Sequence, residues 1–343
     1  MEPRENILLI RLKSIGDILF TLPAVHVVRE NFPDAKLHFL VSKEHAPLLR
    51  GFLDVNEIIL LDRATFRSKN IFAASAGIFQ LLRRLRKQHF SLAIDFQGYG
   101  ETEFLSWWSG APQRLGNVYK NMRGWTYTET SSRDGKIHPA EGNLELLRRC
   151  GLRADRIRNE YILPADALAE ARKFFATNHL NPEKPALFIQ PFTSNPKKNW
   201  PLENFLELAR HFHSRGAQII FGGGPSERAA MEPARAAGFS ISAGVPLLVT
   251  GGLMKLSTLT VGGDTGLLHL ASAMGKRVVM LMKSNAAGMC HPFQHANWTL
   301  TPPAGKPVSE IQTNSVIEKC ARAFADCEAE ANGVNLPGSS QKK

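Results

Sequence analysis

The sequence predicts an α/β protein of two doubly wound domains facing each other across a cleft, and three observations carry that prediction. A chain of 343 residues is about two domains long at roughly 150 residues each. Short apolar runs rich in branched side chains alternate with segments of helical length, the rhythm of βαβ crossovers in a parallel sheet. That rhythm lapses near Asn159–Pro164 and starts afresh at Ala186.

In chain order, Ile7–Leu12, Lys36–Val41, Glu57–Leu61 and Ser91–Asp95 read as strands, with helices over Asp17–Asn31 and Ile71–Gln88. A helix near Asp166–Asn178 and the polar stretch Asn181-Pro182-Glu183-Lys184-Pro185 follow, so the domains are expected over 1–165 and 166–330. The second half reads as strand Ala186–Gln190, helix Pro201–Ser214, strand Gln218–Phe221, helix Glu227–Ala237, strand Thr258–Gly262, a helix from Gly266 and strand Arg277–Met282. Phe205, Leu208, Ala209 and Phe212 fall at i, i+3, i+4 and i+7, the stripe that packs a helix on a sheet. A last helix over Asn314–Glu330 puts Ile317, Cys320, Ala321 and Phe324 on one face, which makes Cys320 a core residue. Residues 331–343 are expected to be a disordered tail.

Composition narrows the function classes. The chain is 43% hydrophobic and 21% charged, enough for packed cores and too little charge for disorder. Its 42 Lys and Arg against 31 Asp and Glu, a formal charge of +11, favour an anionic partner: nucleic acid, a phosphorylated substrate or an acidic membrane surface. No compact nucleic-acid motif is present, so nucleic acid is not expected. No apolar run approaches the roughly 18 residues of a membrane span, and a cytoplasmic protein without signal peptide or transmembrane helix is expected. The cysteines, Cys150, Cys290, Cys320 and Cys327, show no zinc spacing; reduced thiols and no metal are expected.

Four motifs lie where strands give way to helices. In Gly262-Gly263-Asp264-Thr265-Gly266-Leu267-Leu268-His269, small residues let first-turn amides approach an anion such as a diphosphate, or Asp264 and Thr265 simply cap the helix. In Phe221-Gly222-Gly223-Gly224-Pro225-Ser226-Glu227, Glu227 suits a ribose hydroxyl or the helix dipole. In the third, the loop after Ala186–Gln190, Thr193, Ser194 and Lys198 can hold phosphate, while Pro201 sits at the favoured first helical position. At the N-terminus, Arg11-Leu12-Lys13-Ser14-Ile15-Gly16-Asp17 sets Asp17 at a strand's carboxyl end, as a catalytic carboxylate or half of a capping box with Ser14. Arg63–Phe90 carries seven Lys or Arg and no Asp or Glu, suiting an acidic acceptor, membrane headgroups or a solvated helix face. Trp107, Trp108 and Trp125, near Arg114, Lys120 and Arg123, suit sugar stacking or ordinary packing.

The opening I-L-L-I-R-L-K-S-I-G-D, the K-x-W-P at Lys198–Pro201, the G-G-G-P-x-E at Gly222–Glu227 and the G-G-D-T-G-L-L-H-L-A at Gly262–Ala271 stand in one order along the chain. Together they resemble the bacterial lipopolysaccharide heptosyltransferases, glycosyltransferase family 9. The resemblance implies a GT-B fold, with an N-terminal acceptor domain and a C-terminal nucleotide-sugar domain. It implies inverting, metal-independent transfer of heptose from ADP-L-glycero-D-manno-heptose to the acidic inner core of lipopolysaccharide, without a cofactor and with peripheral contact at the inner membrane. By motif match, Asp17 takes the place of the general base. Thr193, Ser194, Lys198, Asp264, Thr265, Gly266, Leu267 and His269 surround the donor diphosphate, and Glu227 contacts the nucleoside. Arg63, Arg67, Lys120 and Arg123 then serve the acceptor. The loop Lys283–Pro292 departs from the family's Gly-Pro-Thr pattern, with Lys283 and Ser284 as substitute phosphate contacts. A nucleotide-sugar epimerase or hydrolase on the same fold, or a non-catalytic basic binding protein, are the alternatives.

Overall fold

Strands buried on both faces must be apolar throughout, and the chain obliges: Ile7 through Ile10, Leu37 and Phe39 through Val41, and Leu187 through Ile189 are all fully buried. The computed structural model describes residues 5–63, 71–118, 125–132, 135–284 and 290–331. The expected tail and the calls that fall on Arg67, Lys120 and Arg123 lie outside them.

Two compact units divide the chain, Met1–Ile162 and Leu163–Lys343. The first contains β1 (Asn6–Ile10), β2 (Lys36–Ser42), β3 (Glu57–Leu61), β4 (Leu92–Asp95), β5 (Gln113–Val118) and β6 (Glu129–Ser132). They form one parallel sheet in the order β3-β2-β1-β4-β5-β6. Its helices are α1 (Ile15–Leu19), α2 (Leu22–Asn31), α3 (Ile71–Lys87), α4 (Gly100–Trp108) and α5 (Pro139–Arg149).

The second unit has β7 (Ala186–Gln190), β8 (Gln218–Gly223), β9 (Ser240–Ala243), β10 (Leu259–Gly263), β11 (Val278–Leu281) and β12 (Thr299–Leu300). They too form a parallel sheet, in the order β12-β11-β10-β7-β8-β9. Around it lie α6 (Ala165–Thr177), α7 (Leu202–His213), α8 (Glu232–Ala236), α9 (Leu247–Leu256), α10 (Gly266–Ala273) and α11 (Thr313–Ala331). One core joins Phe205, Leu208, Ala209 and Phe212 of α7 to Cys320 and Phe324 of α11, so Cys320 is a core residue.

Two helices differ from expectation, each at a proline. The helix expected over Asp17–Asn31 is broken into α1 and α2, because Pro23 has no N–H to continue the ladder. Thr21 closes α1 by donating from its amide (3.0 Å) and its hydroxyl (2.7 Å) to the Ile18 carbonyl. The helix expected over Glu227–Ala237 is instead two 3₁₀ turns, Pro225–Glu227 and Ala229–Met231, followed by α8. Pro233 has no amide to give to Ala229, so the α-helix begins only around it.

Candidate active site

A doubly wound sheet opens a crevice where the strand order reverses, at the carboxyl ends of the two strands that flank the reversal. In the first unit the chain runs outward from β1 to β3 and returns to β4, so the switch lies between β1 and β4. In the second it lies between β7 and β10. Register brings Ile10 level with Asp95 at the first and Gly262 level with Gln190 at the second. The motifs following β1, β7 and β10 therefore sit at switch points.

At the first switch, Arg11 organises the crossing loops. Its side chain is 4% exposed; Nη1 donates to the Phe96 carbonyl at 2.8 Å, Nε to the Lys13 carbonyl at 2.9 Å, and Nη2 lies 2.8 Å from Asp17 Oδ1. The Leu12 amide donates to Gln97 Oε1 at 3.0 Å. Under this loop, Asp95 accepts the amides of Gln97 (2.8 Å) and Gly98 (3.1 Å) and the Tyr127 hydroxyl (2.6 Å). Burial pushes the Asp95 carboxyl up, while these bonds and one from Thr102 work against that push. Burial together with Asp95 pushes the Tyr127 phenol up, which keeps it a donor.

Asp17 itself is 34% exposed. Its Oδ2 accepts the Ser14 hydroxyl at 3.1 Å and the Ser14 amide at 3.4 Å. The capping interaction is thus present, but it is the longer and weaker part of the set. The 2.8 Å pair with a buried guanidinium holds the carboxylate.

At the second switch, three strand ends close on Gln190. A Cβ at Gly262 would stand 2.4 Å from the Gln190 carbonyl oxygen, and one at Gly222 would stand 2.9 Å from its Oε1. A Cβ at Gly263 would meet Thr193 Cγ2 at 2.6 Å. Only glycine admits this approach. The loop after β7 is tied by Asn199, whose Oδ1 accepts the Thr193 amide and hydroxyl, both at 2.9 Å. It is anchored by Trp200, which is fully buried, donates from Nε1 to the Ile311 carbonyl at 2.8 Å and packs edge-on against Phe205. The tryptophan of K-x-W-P is the root of the loop that carries Lys198.

Lys198 Nζ lies 2.7 Å from Asp264 Oδ2, and His269 Nε2 lies 3.5 Å from Oδ1. The lysine side chain is 37% exposed and the aspartate 15%. Burial would raise the Asp264 carboxyl, but the bonds from His269 and Lys198, with their charges, outweigh it and hold the group below the ordinary carboxylate range. Thr265 is the N-cap of α10 without a capping bond from its side chain. The first-turn amides of Gly266 and Leu267 therefore face outward from the helix end, as first-turn amides do.

Of the predicted donor residues, the fold brings Thr193, Lys198, Asp264, Thr265, Gly266, Leu267 and His269 to one switch point. Ser194 is exposed on the same loop. Glu227 follows the neighbouring strand β8; its Oε2 accepts the Gly224 amide at 2.7 Å, and it ends a 3₁₀ turn rather than opening an α-helix. Thr193 is buried, its hydroxyl donating within the loop, so it shapes the site. Arg63 lies 3.6 Å from Glu101 at the start of α4. Lys283 and Ser284 follow β11, and residues 285–289 lie outside the described residues. Sequence reading did not single out Arg11, Gln97 or Asn199; each acts through partners from six to 85 positions away.

A family model for glycosyltransferase family 9 (heptosyltransferase) matches residues 78–309. The lipopolysaccharide core heptosyltransferase OpsX of Haemophilus influenzae is 22% identical over 289 residues, 82% of this chain and 79% of that one. Among solved structures, a family 9 glycosyl transferase from Veillonella parvula superposes with a TM-score of 0.84 at 18% identity, covering 94% of this chain and 98% of that one. The Escherichia coli heptosyltransferase WaaC with ADP gives 0.76 at 20% identity, covering 93% and 99%.

Proposed function

Because the chain belongs to glycosyltransferase family 9, the heptosyltransferases, we propose that this glycosyltransferase moves heptose from ADP-L-glycero-D-manno-heptose onto the acidic inner core of lipopolysaccharide, with inversion and without a metal. One observation carries the reading: each switch point holds a cation–carboxylate pair, and the more exposed member is the carboxylate in the first unit and the ammonium in the second. The first suits a base, the second an anion.

In the reaction an acceptor hydroxyl attacks the anomeric carbon from the face opposite ADP while Asp17 takes its proton. The bond from the anomeric carbon to the diphosphate oxygen breaks, and negative charge grows on the departing ADP. Lys198 meets that charge: one of its three N–H donors is held by Asp264, leaving two for phosphate oxygens. Ser194 and the amides of Gly266 and Leu267 add hydrogen bonds, and such preorganised donors stabilise charge as it develops. Asp264, itself held by His269, fixes the lysine. Glu227 contacts the nucleoside, and Arg63, Arg67, Lys120 and Arg123 serve the acidic acceptor. A peripheral station on the cytoplasmic face of the inner membrane fits the acceptor's lipid nature.

Incubation with ADP-heptose and core acceptors truncated at successive sugars, read by mass, tests the reading. It predicts addition of one heptose in the presence of EDTA, and an ADP-induced rise in melting temperature larger than that given by UDP or GDP. At 100 times its dissociation constant ADP stabilises the fold by about 2.7 kcal/mol. No heptose adduct on any acceptor, or a preference for UDP, contradicts it.

A further inference from the structure

Apolar exposure is uneven along the chain. Among the described residues every exposed large apolar side chain belongs to the first unit or to its last residue, Ile162. Five of them gather on α3, α4 and the segment beside them: Ile78 at 41% exposure, Phe79 at 66%, Phe104 at 44%, Trp107 at 44% and Trp125 at 76%. Direct contacts make the face continuous. Trp108 Nε1 donates to the Leu82 carbonyl and so ties α4 to α3, and the rings of Phe104, Trp107 and Trp108 pack on one another. Thr126, next to Trp125, donates to Glu103 of α4.

The charge around this face has one sign. Phe79, Arg83 and Arg86 stand at i, i+4 and i+7 on one side of α3, Lys87 is exposed beside them, and no Asp or Glu occurs between Arg63 and Phe90. Arg84 spends its charge elsewhere, 2.7 Å from Glu57. Of the acids on α4, Glu103 is buried on Thr126 and Glu101 faces Arg63. Within the face lies a hollow of about 270 Å³ lined by Arg86, Trp107, Trp108, Gly110 and Arg114. Its guanidinium groups are held in place by backbone carbonyls, Arg86 by Trp108 and Arg114 by Thr126 and Ala111. Exposed Trp and Phe set among arginines match the boundary between acyl chains and anionic headgroups, where aromatic rings are favoured and basic side chains meet phosphate.

We infer that this face of α3 and α4 docks the enzyme on an anionic bilayer, the aromatic side chains entering the headgroup layer and the hollow taking a lipid phosphate. The inference rests on the transferase reading only in naming why a bilayer is there, since the proposed acceptor is a lipid.

Flotation of the full chain with phosphatidylcholine vesicles, with and without 30% phosphatidylglycerol, tests it. Binding is expected to be at least tenfold tighter with the anionic lipid and to weaken in high salt. Phe79→Ser with Phe104→Ser, and separately Arg83→Gln with Lys87→Gln, should each lower vesicle binding at least tenfold. Melting temperature and the rate on a lipid-free acceptor should stay at parental values. Parental vesicle binding by both double variants overturns the inference, as does no binding by the parent. A parental dimer that the Phe79/Phe104 variant converts to monomer also overturns it, assigning the face to a second copy. Vesicle binding without any heptose transfer would instead remove the transferase reading and leave the surface standing.

Discussion

Between β1 and β4 a half-exposed carboxylate stands on a buried guanidinium, whereas between β7 and β10 a half-exposed ammonium stands on a sheltered carboxylate. The two sheets share a strand order, and the loops that follow the corresponding strands carry opposite polarity. In each pair the buried partner has further bonds, Arg11 to two backbone carbonyls and Asp264 to His269, while the exposed partner is the one offered to solvent. A repeated architecture thus offers a carboxylate to solvent in one half and an ammonium in the other by exchanging which charge is anchored, the polarity that the proposed base and the proposed anion site each require.

The comparison breaks most visibly at its anchors. Arg11→Met should cost on the order of 2–4 kcal/mol of stability, because it strands the buried Phe96 carbonyl and removes the guanidinium that stands 2.8 Å from Asp17. Chemical denaturation checks this, and a midpoint near the parent's would mean that the guanidinium is not structural. Lys198→Ala removes a cation of similar reach from the presenting side. It should leave the denaturation midpoint within about 1 kcal/mol and weaken ADP binding on the order of 10- to 100-fold, the worth of a charged hydrogen bond at about 1.5–3 kcal/mol. Calorimetry showing unchanged ADP affinity would reduce Lys198 to a surface residue.

The smallest effect sharpens the second pair by its pH dependence. Asp264 is held below the ordinary carboxylate range in the folded protein, so its contribution is present above the unfolded value of about 3.9 and is lost as pH falls through the lower folded value. Asp264→Asn should therefore cost on the order of 1 kcal/mol at pH 7 and progressively less below about pH 4. A stability difference that stays constant down to pH 2 would place the loss elsewhere than in the carboxylate's charge.

Much of this was legible in the sequence, and what was not has physical reasons. The buried strands announced themselves by continuous apolar runs. Gln113–Val118 and Glu129–Ser132 did not, since they lie toward a sheet edge and read Q-R-L-G-N-V and E-T-S-S. Leu247–Leu256 hid behind Gly251 and Gly252, which look like breakers. They are contact surfaces: a Cβ at Gly252 would meet Ala171 Cβ at 2.6 Å and the Ala167 carbonyl at 2.9 Å, so glycine is what lets α9 lie on α6. At the site, motif order put Lys198 and Asp264 in one neighbourhood, yet their pairing spans 66 positions and is set by β10 lying beside β7. Arg11 stands inside a motif, but nothing local distinguishes a buried guanidinium aimed at Phe96, 85 positions away, from an ordinary basic residue at a strand end.

The division of labour between the two switch points is tested most directly by the turnover and ADP affinity of Asp17→Asn, measured on the same folded preparation. The variant keeps the side chain's shape and its hydrogen bonding to Ser14 and Arg11 in part, and it removes the basic oxygen. The account predicts a kcat lower on the order of 10²- to 10⁴-fold with ADP affinity at the parental value. Turnover within a few-fold of the parent, with a stability loss of up to about 1 kcal/mol, would make Asp17 a helix cap and contradict the account.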